Sequence, residues 1–241
     1  MIRKIVYGFL CASLVCIALV TILLILQNRK LKTAIEIVTK QSTNLQHFVD
    51  SCQAKEQRIQ DMVTTIVEAY PLTDLSPHET RYYCILIDDF AQRYNIPWEV
   101  YIALIRMESN FDPTHKSDKD CRGMMQLLES TGRDVAKTLG IRYRDTKTCW
   151  YDVVNMILGC TYFSEEAKKE ADGKPIQAAH LKHAIRFYLG GPDYPRKVGD
   201  NQQYIGEYSS SVWSETSNLH HMFKGIQISH TDSMASWEEK K

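Results

Sequence analysis

The first strong pattern along the chain is an uncharged apolar run from Ile5 to Leu26, IVYGFLCASLVCIALVTILLIL, 22 residues long. As a helix at ~1.5 Å per residue it reaches ~33 Å, enough to cross a hydrocarbon core of about 30 Å. A cleaved signal peptide has an apolar region of only ~7–15 residues followed by an A-x-A-like site, and this run is longer and lacks that site. Cys11 and Cys16 also lack the small residues expected before a lipidated cysteine. The segment therefore reads as a single transmembrane signal anchor over 5–26, with residues 1–4 as a cytoplasmic N-terminus. Arg3 and Lys4 precede it and Arg29, Lys30 and Lys32 follow it, so flanking charge does not fix its orientation.

After the run the pattern becomes polar with apolar positions at helical spacing. Ile35, Val38, Ser42, Leu45, Val49, Cys52, Ile59, Met62 and Ile66 fall in steps of three and four with one interruption, and neither Pro nor Gly occurs from Gln27 to Tyr70. This predicts a helical stalk over 27–70. Two readings stay open: a stalk that self-associates, or a solvated helix resting on its own domain. The seam is too polar for a strong coiled coil.

Beyond Pro71 the periodicity predicts a mostly α domain over 71–216. Ser76-Pro77-His78-Glu79 is a helix start, with Ser at the N-cap, Pro at N1 and Glu at N3. Its helix offers Tyr82, Ile85, Leu86, Phe90 and Tyr94 to a core. Asn95-Ile96-Pro97 breaks it and starts another, Trp98 to about Glu108, whose VYIALI stretch is apolar all round and so predicts burial. Asp112 to Asp120 reads as loop, 123–128 and 130–139 as short helices, and 140–151 as irregular with room for a small hairpin. Further helices are expected near 152–171, 176–189 and 197–213. From 217 to 241 the chain is polar without a strong period and reads as a tail.

Composition narrows the function. Lys+Arg and Asp+Glu both number 29, a net charge of zero, which argues against a nucleic-acid partner. Charged residues at 24% and aromatic residues at 10% fit a packed protein. A mean hydropathy of −0.31 excludes a polytopic membrane protein while allowing one span. Of seven cysteines none forms a C-x-x-C pair, so a zinc ribbon or thioredoxin-like site is not expected. Cys121 and Cys149 are the candidate disulfide. His180 and His183 stand three apart but lack an acidic third ligand. Asp118-Lys119-Asp120 opens like a calcium loop but no Glu closes it, and His220-His221 falls in the expected tail. Neither metal nor cofactor is expected.

Glu108 is the candidate reactive group. It ends an apolar helix in ALIRMESNF, and the local sequence allows two readings: a solvated helix-ending Glu paired with Arg106 or a backbone group, or a carboxyl partly desolvated by its neighbours, which favours the neutral acid and raises the pKa. Such a carboxyl can donate a proton near neutral pH and later take one back. Glu108-Ser109-Asn110-Phe111 is followed by Ser117, Gly123-Met124-Met125-Gln126, Asn155, Gly159-x-x-Tyr162 and Tyr188-Leu189-Gly190-Gly191-Pro192. This series resembles the soluble lytic transglycosylase (SLT) family of lysozyme-like enzymes over roughly residues 80–210. The family pattern has E-S-x-F, a serine nine positions after the Glu, G-L-M-Q beginning fifteen after it, then N-x-x-x-G-x-x-Y and A-Y-N-x-G. Three departures stand out: Leu189 replaces the Asn of the last motif, Asp120 sits where Gly is common, and Cys121 replaces a small residue.

The resemblance implies a lysozyme-like fold and a peptidoglycan glycan substrate, cut at the β-1,4 bond between N-acetylmuramic acid and N-acetylglucosamine. It implies Glu108 as the single acid/base and a 1,6-anhydro product closed by the muramyl 6-hydroxyl, which makes a second enzyme carboxylate unnecessary. Substrate-binding roles carry over to Ser117, Met125, Gln126, Asn155 and Tyr188. Asn155 alternatively braces the cleft, Met125 alternatively fills the core, and Tyr162 packs in the core. Such a substrate places the domain in the periplasm or outside the cell, on the inner membrane through residues 5–26. A muramidase-type hydrolase and a catalytically impaired peptidoglycan-binding scaffold remain as rival readings.

Overall fold

The computed structural model describes residues 2–71, 73, 75–144, 148, 151–191 and 200–223; the side chains of 2–15, 200, 201 and 221–223 lie outside the description. Seven helices account for the regular structure of the described residues: α1 (Ile2–Ala69), α2 (Pro77–Tyr94), α3 (Trp98–Ser109), α4 (Glu129–Thr138), α5 (Asp152–Ala171), α6 (Ala178–Gly190) and α7 (Asp200–Phe223). The chain divides into two compact units, Met1–Lys55 and Glu56–Lys241.

The first unit is helix α1 up to Lys55. Residues 5–15 of the expected membrane span have no described side chains. Among the described residues no helix is long and apolar enough to cross a membrane. The apolar side chains of the span's second half, from Ile17 to Leu26, are all at least half exposed. The absence of Pro and Gly from 27 to 70 explains why the backbone helix runs without a break to Ala69.

The second unit begins earlier than position 71. Ile59, Met62, Ile66 and Tyr70 are buried in its core, so the last turns of the expected stalk belong to the folded domain. The reason is the stripe at 59, 62 and 66 together with one ion pair. Arg58 Nε donates to Asp88 Oδ1 on α2 at 2.6 Å, with the Asp88 side chain only 2% exposed. A carboxylate that deep in the protein needs a charged partner, and α1 supplies it.

Helix α2 starts with the expected capping box. The Glu79 amide donates to Ser76 Oγ at 3.3 Å, and the Ser76 amide donates to the Glu79 carboxylate at 2.9 Å. Its core face differs from the expected one. Tyr83, Cys84, Ile87, Phe90 and Ala91 are buried, while Tyr82 is exposed and Ile85, Leu86 and Tyr94 are partly buried. The helix is turned because Asp88 and Thr80 face inward beside these apolar residues, which an apolar count cannot anticipate.

Helix α3 is the centre of the domain. Val100 to Ile105 are all at 0% exposure, as an all-round apolar stretch requires. It packs against α2 and α7, while α5 packs against α2, α4 and α6, and α6 against α7. The helix expected over 123–128 is instead a turn, since Gly123 and Gln126 hold φ of +73° and +44°. It is tied into two isolated antiparallel bridges, Lys116 with Arg122 and Arg122 with Leu127. Residues 141–144 carry no regular structure; most of the expected 140–151 hairpin, including Cys149 of the candidate disulfide, lies outside the described residues.

Helix α7 continues past 213 to Phe223, and residues 217–223 of the expected tail are helical. Val212, Thr216, Leu219 and His220 are buried. Thr216 hides in this stripe because its hydroxyl donates to Val212 O at 2.9 Å. Residues 224–241 of the expected tail lie outside the described residues.

The Arg58–Asp88 pair sets the first test. Arg58→Ala leaves a buried carboxylate without its guanidinium and is expected to cost about 3–5 kcal/mol. Lys40→Ala, on the first unit, is expected to stay within about 0.5 kcal/mol. Urea unfolding followed by circular dichroism measures both; equal effects would place Arg58 outside the folded domain.

Candidate active site

The site is built where α3 stops. Asn110 and Phe111 take φ of +55° and +63°, so two successive left-handed residues turn the chain away directly after Glu108 and Ser109. Asn tolerates this conformation, but an aromatic residue there is strained. Phe111 is held by burial and by the Tyr70 ring, 5.4 Å away between centroids. The Ser109 hydroxyl donates to Met124 O at 2.9 Å and fixes the end of α3 to the 122–127 turn.

That turn closes on itself by backbone bonds between Arg122 and Leu127 and from Gln126 to Gly123, and side chains add to them. Asn155 on α5 accepts from the Met125 amide at 2.8 Å and donates to Arg122 O at 2.7 Å. Gln126 donates from Nε2 to His115 O at 3.0 Å and to Gly123 O at 2.9 Å. The Tyr188 hydroxyl on α6 donates to Met125 O at 2.5 Å. Two glycines allow this closeness. A Cβ on Gly123 would lie 2.7 Å from the Asn155 amide, and one on Gly159 would lie 2.4 Å from Met125 Cβ. Asn155 and Gly159, four apart on one face of α5, meet the turn together.

Ser117 accepts from the Cys121 amide at 3.1 Å and its own amide donates to Cys121 O at 3.0 Å, closing the preceding loop. Asp120 holds φ of +63°, so it does adopt the left-handed backbone at a position where Gly is common. Its carboxylate pairs with Lys116 at 2.8 Å and Arg122 at 2.6 Å.

Glu108 is half-buried. Burial pushes its carboxyl up to about 7, and a hydrogen bond from the Tyr208 hydroxyl on α7 offsets part of that rise. The charge on Glu108 in turn adds to the rise that burial causes at Tyr208, Tyr188 and Cys121, so these groups share one electrostatic neighbourhood. An acid poised near 7 that is mostly shielded yet still reached by solvent can exchange a proton with a ligand.

The expected site residues therefore fall into two sets. Glu108 is presented with Tyr188 nearby. Met125 and Asn155 are fully buried, Gln126 is buried, and their polar groups shape the turn beside Glu108. Ser117 is partly exposed in the adjoining loop. Tyr208 was not singled out by the sequence, where its aromatic ring at helical spacing reads as core. His183 on α6 faces Glu166 and Glu170 of α5 at 3.4 and 3.5 Å. Among the described residues no His, Cys, Asp or Glu group forms a metal-binding cluster.

The linkage sign of Glu108 gives a second test. Its folded-state pKa lies above the ordinary 4.5, so the native state holds the proton more tightly than the unfolded chain. Its contribution to stability is then intact below about 4.5 and is lost as pH rises through about 7. Glu108→Gln cannot ionise. The variant is expected to match the parent at low pH and to exceed it by on the order of 1–3 kcal/mol above pH 7, the range allowing for partial solvent access. Denaturant unfolding of both proteins from pH 4 to 8 measures the difference; a pH-independent gap contradicts the burial argument.

Comparison with known proteins assigns this region. Residues 85–203 match the transglycosylase SLT domain family. The chain is 32% identical over 111 residues to the membrane-bound lytic murein transglycosylase C of Yersinia enterocolitica, covering 45% of this chain and 31% of the relative. It is 25% identical over 164 residues to the protein of the same name from Sodalis glossinidius, covering 65% and 45%. The chain thus spans less than half the length of these relatives. An inactive mutant of the lytic transglycosylase Slt from Pseudomonas aeruginosa superposes with a TM-score of 0.49 at 19% identity, covering 69% of this chain and 28% of the other. The 70 kDa soluble lytic transglycosylase of Escherichia coli gives 0.46 at 17%, covering 71% and 30%.

Proposed function

Taking the transglycosylase SLT domain of residues 85–203 as the premise, we propose that the protein is a membrane-anchored lytic transglycosylase of peptidoglycan with Glu108 as its acid and base. The observation that carries this reading is the Glu108 carboxyl, raised to about 7 at the end of a buried helix and touched by one phenol. Protonated, it gives its proton to the oxygen of the β-1,4 bond leaving the muramyl C1. The acetamido group of the sugar stabilises the oxocarbenium-like centre. The carboxylate then takes the proton of the muramyl 6-hydroxyl as that oxygen closes on C1, and the acid is regenerated without consuming water.

Ring closure rather than hydrolysis is the reading that the resemblance of the Glu108-Ser109-Asn110-Phe111 and Gly123-Met124-Met125-Gln126 series supports. Tyr208 steadies the carboxylate formed after the first proton transfer. The turn 122–127, braced by Asn155, Gln126 and Tyr188, shapes the wall beside Glu108, and the partly exposed Ser117 and Tyr188 are the sugar-contacting groups.

The anchor reading rests on Ile5–Leu26, whose 22 residues carry no charge. Its apolar side chains from Ile17 onward are at least half exposed, a surface that hydrocarbon covers and water does not favour. A glycan substrate puts the domain on the periplasmic side of the inner membrane.

Digestion of peptidoglycan sacculi tests the chemistry. The parent protein is expected to release muropeptides with anhydro ends, one water lighter than reducing ends by mass spectrometry, and Glu108→Gln none. Reducing ends would assign a hydrolase, and full activity of the variant would remove Glu108 from the mechanism. The pH dependence is a separate test. The first step needs the protonated acid, so kcat/KM is expected to be level below about 7 and to fall about tenfold per pH unit above it. Tyr208→Phe removes a donor that favours the carboxylate, so its falling limb is expected at higher pH; a limb that stays in place contradicts the role given to Tyr208.

A further inference from the structure

Helix α1 carries an apolar stripe in its first unit. Leu31, Ile35, Val38, Leu45, Phe48 and Val49 are between 38 and 66% exposed. With one exception they follow a strict alternation of four and three: Asn28, Leu31, Ile35, Val38, Ser42, Leu45, Val49, Cys52. This is the a/d pattern of a left-handed coiled coil, with a at 28, 35, 42 and 49 and d at 31, 38, 45 and 52. Phe48 flanks the seam at a g position.

We infer that this stripe is a self-association surface, and that its occupant is the same segment of a second copy, parallel and in register. Charge placement supports a like partner. From Thr33 to Ala54 the charged side chains are Glu36, Lys40 and Asp50, and all fall at b or f positions on the outer face. The flanking g and e residues that meet across a parallel pair are Ala34 with Thr39, Gln41 with Gln46, and Phe48 with Gln53. Two identical helices therefore meet without a single like-charge contact over this stretch, and the seam also lacks the salt bridges that would select a different partner.

Orientation and number follow from the seam residues. In the parallel register Asn28 meets Asn28, Ser42 meets Ser42 and Cys52 meets Cys52, so polar groups face polar groups. An antiparallel pair opposes a to d layers and, fully overlapped, sets Ser42 against Val38. Ile35 and Val49 at a with Leu31 and Leu45 at d is the combination that favours two strands. The seam is short and has two polar a positions, so the pair is weak and reversible. The inference is independent of the chemistry assigned to Glu108.

Cys52 lies exposed at a d position and makes the pairing measurable. The full chain in detergent micelles, with Cys11 and Cys16 replaced by Ser, is oxidised mildly and resolved without reductant. A disulfide-linked dimer lost in Cys52→Ser is expected. In that Cys52→Ser background, Val38→Cys at a d position is expected to cross-link at least about tenfold faster than Lys40→Cys at an f position. Leu45→Lys is expected to slow Cys52 cross-linking by a similar factor, with the parent's peptidoglycan-cleaving rate unchanged in free solution. Equal rates at 38 and 40, no Cys52-dependent dimer, or insensitivity to Leu45→Lys overturns the inference.

Discussion

The site depends on one constraint: a carboxyl held where water can scarcely solvate its charge. Helix α3 meets it by being apolar on every side from Val100 to Ile105, which anchors the helix in the core and leaves Glu108 half-buried at its end. A helix ending in solvent would let Glu108 swing outward and titrate as an ordinary acid. Two left-handed residues at 110 and 111 prevent that by reversing the chain at once, and the burial of Phe111 offsets the strain of placing an aromatic residue there. The short E-S-N-F sequence is thus a mechanical unit. It consists of an acid, a hydroxyl clipped to Met124, a residue that tolerates the turn, and an aromatic plug.

The second requirement is a rigid neighbour for that acid. The segment from 115 to 127 is tied by two bridges and by backbone hydrogen bonds across its turns, and a buried amide left alone would cost about 1–3 kcal/mol. Asn155 and Tyr188 supply the partners of the Met125 amide and carbonyl from two distant helices, and Gln126 adds a side-chain brace across the loop. Their arrangement is possible because Gly123 and Gly159 leave no room-filling Cβ at the two closest approaches. Any side chain at 159 displaces Met125, and with it the amide that Asn155 holds.

Much of this was legible in the sequence, because it rests on local signals. The Ser76 cap, the buried α3 and the partly desolvated acid position all follow from residue type and spacing. What was not legible involved groups whose role depends on distant partners. Asp88 faces inward only because Arg58, thirty residues earlier, neutralises it, and this rotates α2 and extends the domain into the stalk. Tyr208 reads as one more core aromatic until the fold carries α7 alongside α3, a hundred residues away from Glu108. The end of α7 was missed because Thr216 looks polar in sequence yet returns its hydroxyl to its own helix.

The polar residues that most resemble sugar-binding groups are largely occupied by the protein itself. Both functional atoms of Asn155, the amide of Gln126 and the hydroxyl of Tyr188 are committed to backbone atoms of one turn. Asn155 or Tyr188 cannot reorient toward a ligand without leaving the Met125 amide or carbonyl unpaired, so their first effect is on where the turn lies. Residue identity at these positions is then explained by geometry before recognition. The same reasoning singles out Glu108, whose hydrogen-bond partner among the described residues is a phenol that holds one carboxylate oxygen.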